Sequence, residues 1–297
     1  MKHYFIGAIA LVISTFVGSC GDAIMKFLSS NGFQWYHFFA IGNTFAMIGL
    51  LITMHFNGGI KKNLTFKKYN IPLLRGIIFS ASPTIAFFSL NNIPISIYTT
   101  LMMLAPLNVV IFSYFILKEK INFISLLAVF FGFSGVLLFL RPSVGFNIFL
   151  FGPIIIAFIN AFCFVIVKKY NDLCTSIGYT FFLWIFPTIW SYFFFLTDPI
   201  MPTINYVIII ICGGLFLLIS VFLWNYAYYQ AGEYTQNISP YIYSQIVWER
   251  GLIRVIYFKE KIDFLMLVDV LIIICSGLIT MKKINLTPQH SSWLVVE

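Results

Sequence analysis

The sequence predicts an all-α integral membrane protein, ten transmembrane helices laid out as two inverted five-helix repeats. Three observations carry that prediction. Apolar residues make up 60% of the 297 and charged ones only 9%, with a mean hydropathy of +0.94, where a soluble domain carries roughly 25% charge. The apolar residues fall into ten runs near the ~20-residue length that a helix needs to cross a bilayer. Finally, Ala86, Lys118-Glu119-Lys120-Ile121, Phe123 and Val129 recur 141 residues later as Ala227, Lys259-Glu260-Lys261-Ile262, Phe264 and Val270. Each copy has room for five spans, and an odd number of spans turns the second copy upside down in the bilayer.

The first run, Tyr4 to Leu28, follows Met1-Lys2 but is long and lacks an A-x-A cleavage site, so it reads as a retained span rather than a signal peptide. Trp35 to His55 is the second run. Asn57 to Asn70, with Gly58-Gly59 and four lysines, reads as a loop at the membrane surface, too short to fold alone. Ile71 to Leu90, Ser96 to Leu117 and Phe123 to Leu140 complete the first half. Pro142 to Gly145, after Arg141, breaks the pattern and divides the repeats into 1–144 and 145–284. The second half holds Asn147 to Val167, Ser176 to Leu196, Asn205 to Tyr228, Tyr234 to Phe258 and Phe264 to Thr280, before a mixed tail at 285–297. Continuous apolar runs favour helices over barrel strands, which alternate. Short connections make sequential helices antiparallel neighbours. Pro106, Pro153, Pro187 and Pro240 lie within or near the runs, and Gly213-Gly214 interrupts the eighth; such breaks free backbone carbonyls and let helices flex. Gly132 and Gly135, with Ser276 and Gly277, suit close packing or a homodimer contact.

The net charge of +8 follows topology rather than marking a nucleic-acid partner. Lys2, Lys61, Lys62, Lys67, Lys68, Lys118, Lys120, Lys168, Lys169, Lys282 and Lys283 flank the side that carries the termini, against mainly Lys26, Arg141, Lys259 and Lys261 on the other. The positive-inside rule places both termini in the cytoplasm. The cysteines Cys20, Cys163, Cys174, Cys212 and Cys275 are scattered without C-x-x-C spacing and read as packing residues. His3, His37, His55 and His290 are equally dispersed. Neither a metal site nor a cofactor is predicted.

An acidic turn closes the fourth run of each half, Leu117-Lys118-Glu119 and Phe258-Lys259-Glu260. In the first half, Tyr98 to Leu107 (YTTLMMLAPL), Phe112 to Glu119 and Gly132 to Pro142 (GFSGVLLFLRP) add to it. The second half keeps Tyr243-Ser244-Gln245 and Lys259-Glu260 but inserts Trp248-Glu249-Arg250. On these residues the chain resembles the EamA-type drug/metabolite transporter superfamily of ten-span inverted-repeat carriers. The resemblance implies a carrier of amino acids, S-adenosylmethionine, riboflavin or nucleotide-linked metabolites. Its motifs are structural and name no cargo, and family members usually carry small or apolar residues where this chain has Trp248-Glu249-Arg250.

Charged groups within hydrocarbon need a partner, a water-filled cavity or a function. Seven fall inside the runs: Asp22, Lys26, Arg75, Glu249, Arg250, Arg254 and Asp269. Arg75 lies roughly 6 Å inside the end of its span and is expected to snorkel to the headgroups. In the ninth run Asn237, Tyr241, Gln245 and Glu249 recur every four residues, which draws a polar stripe along one helix face. Glu249 falls roughly 13 Å from the outer end, and Trp248 and Tyr243 add aromatic surface for a planar or cationic ligand. These six residues form the expected substrate site; alternatively Glu249 makes an internal salt bridge that only locks the packing. Arg250 and Arg254 share another face with Asp269 at similar depth, either as a structural cluster or as a seat for a carboxylate or phosphate. Asp22 and Lys26, one turn apart, form a local ion pair or take part in coupling. The 141-residue offset maps Asp22 to Cys163, Gln245 to Leu104, Glu249 to Asn108, Arg250 to Val109 and Asp269 to Ala128. Charges present in one half only are therefore less readily explained as fold requirements.

The function these features predict is secondary transport of a small polar metabolite, an amino acid or an S-adenosylmethionine-like molecule, by alternating access. Enzymatic activity is not expected. An intramembrane aspartyl hydrolase using Asp22 and Asp269 is a competing class, but Gly21-Asp22 lacks the preceding glycine of a G-x-G-D site. A non-transporting accessory subunit of a lipid-handling complex is a third. Abundant Phe, Ile, Asn and Lys hint at an AT-rich bacterial genome, and hence at a bacterial inner membrane.

Overall fold

A computed structural model of the chain describes residues 2–64, 68–93, 95–119, 147–197, 201–230 and 235–248, together with 123, 126–127, 129–131 and 133–134. Every regular element among the described residues is helical. The first half contributes α1 (Lys2–Ser30), α2 (Trp35–Phe56), α3 (Ile60–Asn63), α4 (Asn70–Asn92), α5 (Ile95–Met102) and α6 (Ala105–Leu117). The second contributes a 3-10 turn (Ile148–Leu150) leading into α7 (Phe151–Lys169), then α8 (Ser176–Thr197), α9 (Ile204–Gln230) and α10 (Thr235–Ile238). A second 3-10 segment (Ser239–Tyr243) and α11 (Ser244–Ile246) follow.

Six helices are long and apolar enough to cross a membrane among the described residues: Phe5–Ser30, Trp35–Phe56, Asn70–Ser89, Ile148–Lys169, Ser176–Thr197 and Ile204–Gln230. They coincide with the first three and the sixth to eighth predicted runs. The fourth run is not one helix. It breaks at Met103-Leu104 between α5 and α6, where Pro106 enters the first turn of α6. The ninth run is broken as well, and the tenth lies outside the described residues.

Side-chain placement is what lipid as solvent requires. Ile9, Ile13, Phe16, Phe45, Ile48 and Ile52 are exposed on α1 and α2, while Ser14, Thr15, Ser19 and Asn43 on the same helices are buried. An outward apolar surface of this extent belongs against hydrocarbon.

Sequential helices were expected to be each other's neighbours, and here the structure differs. The main packing partner of α1 is α9, that of α2 is α8 and α9, that of α4 is α8 and α7, and that of α6 is α7. Among the described residues, the helices of the first half thus pack chiefly on those of the second. Small residues explain the choice: an added Cβ at Gly18 would meet Ser220 Oγ at 2.7 Å, and one at Gly21 would meet the Leu217 side chain at 2.6 Å. That face of α1 has no other way to approach α9 so closely.

Gly213-Gly214 does not interrupt its helix, because α9 runs unbroken from Ile204 to Gln230. Instead, α9 crosses α2 there. A Cβ at Gly214 would lie 2.6 Å from the carbonyl carbon of Gly42 and 2.7 Å from its oxygen. The glycines permit backbone contact between the two helices. Pro187 likewise sits inside an intact α8.

The loop at 57–70 also holds more structure than expected. Gly58 and Gly59 turn the chain at φ 98° and 82°, and α3 follows with Asn63 buried beneath it. Asn63 Nδ2 donates to the Gly59 carbonyl at 2.9 Å, and Thr175 Oγ1 donates to Asn63 Oδ1 at 2.8 Å. This pins the lysine-bearing loop to the entry of α8.

Candidate functional site

The ninth run was expected to be one α-helix with a stripe at every fourth residue. The structure replaces it with α10, the Ser239–Tyr243 3-10 segment, α11 and a π turn at Val247-Trp248. Pro240 sits in the first turn of the 3-10 segment; it has no N–H to give to an α-helical ladder, and its ring crowds the preceding turn. The changed pitch breaks the stripe. Asn237 is buried in α10, Tyr241 and Gln245 are half-buried, and the fully buried Tyr243 donates its hydroxyl to the Val129 carbonyl at 3.0 Å.

Ser244 and Trp248 turn toward α1. Ser244 Oγ lies 2.7 Å from Thr15 Oγ1, and the Trp248 indole N–H donates to Thr15 Oγ1 at 3.2 Å. The Trp248 ring meets Phe16 edge-on with centroids 5.5 Å apart. One helix over, Ser14 Oγ donates to the Ser220 carbonyl at 2.6 Å and Ser220 Oγ to the Ser14 carbonyl at 2.9 Å. Thr15 stands roughly 15 Å from one end of its span and 22 Å from the other, so this polar cluster is at mid-depth. Its hydroxyls are short of protons. Thr15 Oγ1 reaches the Val12 carbonyl at 2.8 Å and Ser244 Oγ reaches the Tyr241 carbonyl at 2.7 Å. Those two contacts and the Thr15–Ser244 contact need three hydroxyl protons, and two hydroxyls supply two.

Arg75 does not snorkel. It is 1% exposed and binds three helices of the second half: Nε donates to the Cys163 carbonyl at 2.7 Å, Nη1 to the Tyr179 carbonyl at 3.1 Å, and Nη2 to Asn225 Oδ1 at 2.6 Å. Asn225 Nδ2 in turn donates to Thr180 Oγ1 at 3.0 Å, and the guanidinium carbon lies 5.5 Å from the centre of the Tyr179 ring. A planar fork has donors in the directions of all three acceptors, so inward hydrogen bonds replace hydration at the headgroups.

Of the other predicted residues, Asp22 is half-buried and Lys26 exposed, one turn apart on α1. Glu249, Arg250, Arg254 and Asp269 lie outside the described residues. Thr15, Ser244, Asn225 and Thr180 were not singled out from the sequence. Their signal was faint: short polar side chains on runs that also carry glycine or proline. The repeat partner of Glu249, Asn108, is buried on α6, and its Nδ2 has no hydrogen-bond partner among the described residues.

Comparison with known proteins agrees with this architecture. A solved crystal structure described only as "Crystal structure of protein" aligns with a TM-score of 0.77 over 97% of this chain and 99% of its own, at 13% identity. That likeness is one of fold. No curated protein matches the sequence. The EamA-like transporter family model matches residues 5–141, the stretch that carries α1 to α6. Through that first half, the chain is similar to the EamA-like transporter family.

Proposed function

We propose that the protein is a secondary carrier that moves a small polar metabolite, an amino acid or an S-adenosylmethionine-like molecule, by alternating access between its two inverted halves. The observation that carries the reading is the broken ninth run, whose Ser244 and Trp248 meet Thr15 at mid-depth. Discontinuous helices near the bilayer midplane are where carriers of this architecture hold cargo, because freed backbone groups there are tolerated only against protein or a cavity. The break at Met103-Leu104 in the fourth run supports it, since the 141-residue offset sets it beside Ser244-Gln245. In this reading Trp248 offers a ring face to the cargo, Thr15, Ser244 and Gln245 exchange hydrogen bonds with it, and Glu249 is its counter-ion or a titrating proton site. The protein sits in a bacterial inner membrane with both termini in the cytoplasm.

The test is uptake of a labelled panel (S-adenosylmethionine, amino acids, riboflavin, nucleotides) into proteoliposomes, with and without a pH gradient. Saturable flux of one member above protein-free vesicles is the expected result. A chain that is folded and inserted yet moves no member removes the stated cargo classes, and the accessory-subunit reading then takes precedence.

A further inference from the structure

One arginine of the first half meets three helices of the second at the end of the bundle marked by Lys61, Lys62, Lys168 and Lys169. Taking the carrier reading as its basis, we propose that Arg75 is the latch of a gate at that end. The structure is closed there, and the cycle passes through a state in which the guanidinium has left Cys163, Tyr179 and Asn225.

The closure has two layers built on consecutive residues. Cys163 and Asn225 hold Arg75. The next residue of α7, Phe164, stacks its ring on both Trp224 and Tyr228 of α9, with centroids at 4.7 and 5.3 Å and interplanar angles of 8° and 5°. The polar knot and the ring stack thus clamp the same helix pair. At the same end Gln236 Nε2 donates to Glu119 Oε2 at 3.4 Å, which ties the close of α6 to the start of the broken run. Lys118 in the left-handed region, at φ 58°, turns the chain so that Glu119 faces inward.

Two features distinguish a latch from a staple. First, the three acceptors of the buried guanidinium are neutral oxygens. A permanent staple is made as well or better by apolar side chains, because a buried charge forfeits its hydration; a group that must be alternately dry and wet has reason to keep the charge. Second, Trp224 Nε1 and the Tyr228 hydroxyl are buried and have only each other as partners among the described residues. Buried polar atoms so poorly satisfied weigh against the closed arrangement and recover water when it opens.

Cys163 is a native reporter, because it is fully buried behind Arg75. The experiment places the full chain in lipid nanodiscs with a water-soluble, membrane-impermeant maleimide and follows labelling of the Cys163 and Cys20 peptides by mass spectrometry. Slow Cys163 labelling is expected in the wild type, rising about tenfold or more in Arg75→Lys and Arg75→Gln and less in Asn225→Ala, while Cys20 stays at its wild-type rate. Wild-type labelling rates in all three folded variants would overturn the latch. A parallel rise at Cys20 and Cys163 would overturn it too, since Arg75 would then only hold the fold. Panel flux with unchanged labelling sinks the latch and leaves the carrier; a selective rise at Cys163 without flux of any panel member upholds the opening and removes the stated cargo classes.

Discussion

Replacing Gly214 with alanine adds a single methyl group at the α2–α9 crossing, and the structure gives its cost a sign. The new Cβ would stand 2.6, 2.7 and 2.8 Å from the carbonyl carbon, oxygen and Cα of Gly42. Carbon atoms pack at about 3.5–4.0 Å, and these are backbone atoms that cannot rotate away. The helices must therefore separate by about 1 Å along the crossing, which costs on the order of 1–3 kcal/mol as overpacking. Gly49 of the same α2 is the control: a Cβ there meets nothing within 4 Å, and a helical Gly→Ala change without a clash is worth up to about 1 kcal/mol in the opposite direction. Unfolding in one detergent, followed by tryptophan fluorescence, should show Gly214→Ala destabilised and Gly49→Ala unchanged or stabilised. Equal stability of Gly214→Ala and wild type would refute the backbone contact and return the glycine pair to a hinge role.

Burial between α7 and α8 pushes the Cys174 thiol from 9.0 up to about 12. The folded state then holds a proton that the unfolded chain releases above about pH 9, so stability falls as pH rises from about 9 toward 12. The difference from Cys174→Ser isolates this contribution, and Cys174 in the folded protein should resist maleimide at pH 8. Tyr243→Phe removes the buried hydrogen bond from the hydroxyl to the Val129 carbonyl at 3.0 Å and should cost about 0.5–1.5 kcal/mol in the same unfolding assay.

The membrane class and six of the spans were legible because hydropathy over about 20 residues dominates every local preference. The family likeness of the first half was legible too, in the residues around Tyr98 to Leu107 and Lys118-Glu119. Among the readings that failed, three show most clearly why. The four-residue stripe of the ninth run assumed an α-helical pitch that Pro240 interrupts. Gly213-Gly214 read as a break because a glycine pair looks alike in sequence whether it frees a helix or lets another approach, and only Gly42 across the crossing decides between them. Arg75 read as a snorkelling residue because its depth is visible in sequence but its acceptors are not: two are backbone carbonyls of α7 and α8, and the third, Asn225, stands 150 residues away. Thr15 was missed for the same reason, since a threonine in an apolar run shows no partner until the helix facing it is known.

The measurement that bears most directly on the account is saturable flux of the transported panel member through wild type, Thr15→Val and Glu249→Gln, at matched insertion in proteoliposomes. Thr15→Val keeps shape while removing the acceptor that Trp248 Nε1 and Ser244 Oγ share. The account predicts flux that falls at least about tenfold in both variants, as expected when a site loses a polar partner. Wild-type flux in both folded variants would contradict a cargo site at the broken ninth run.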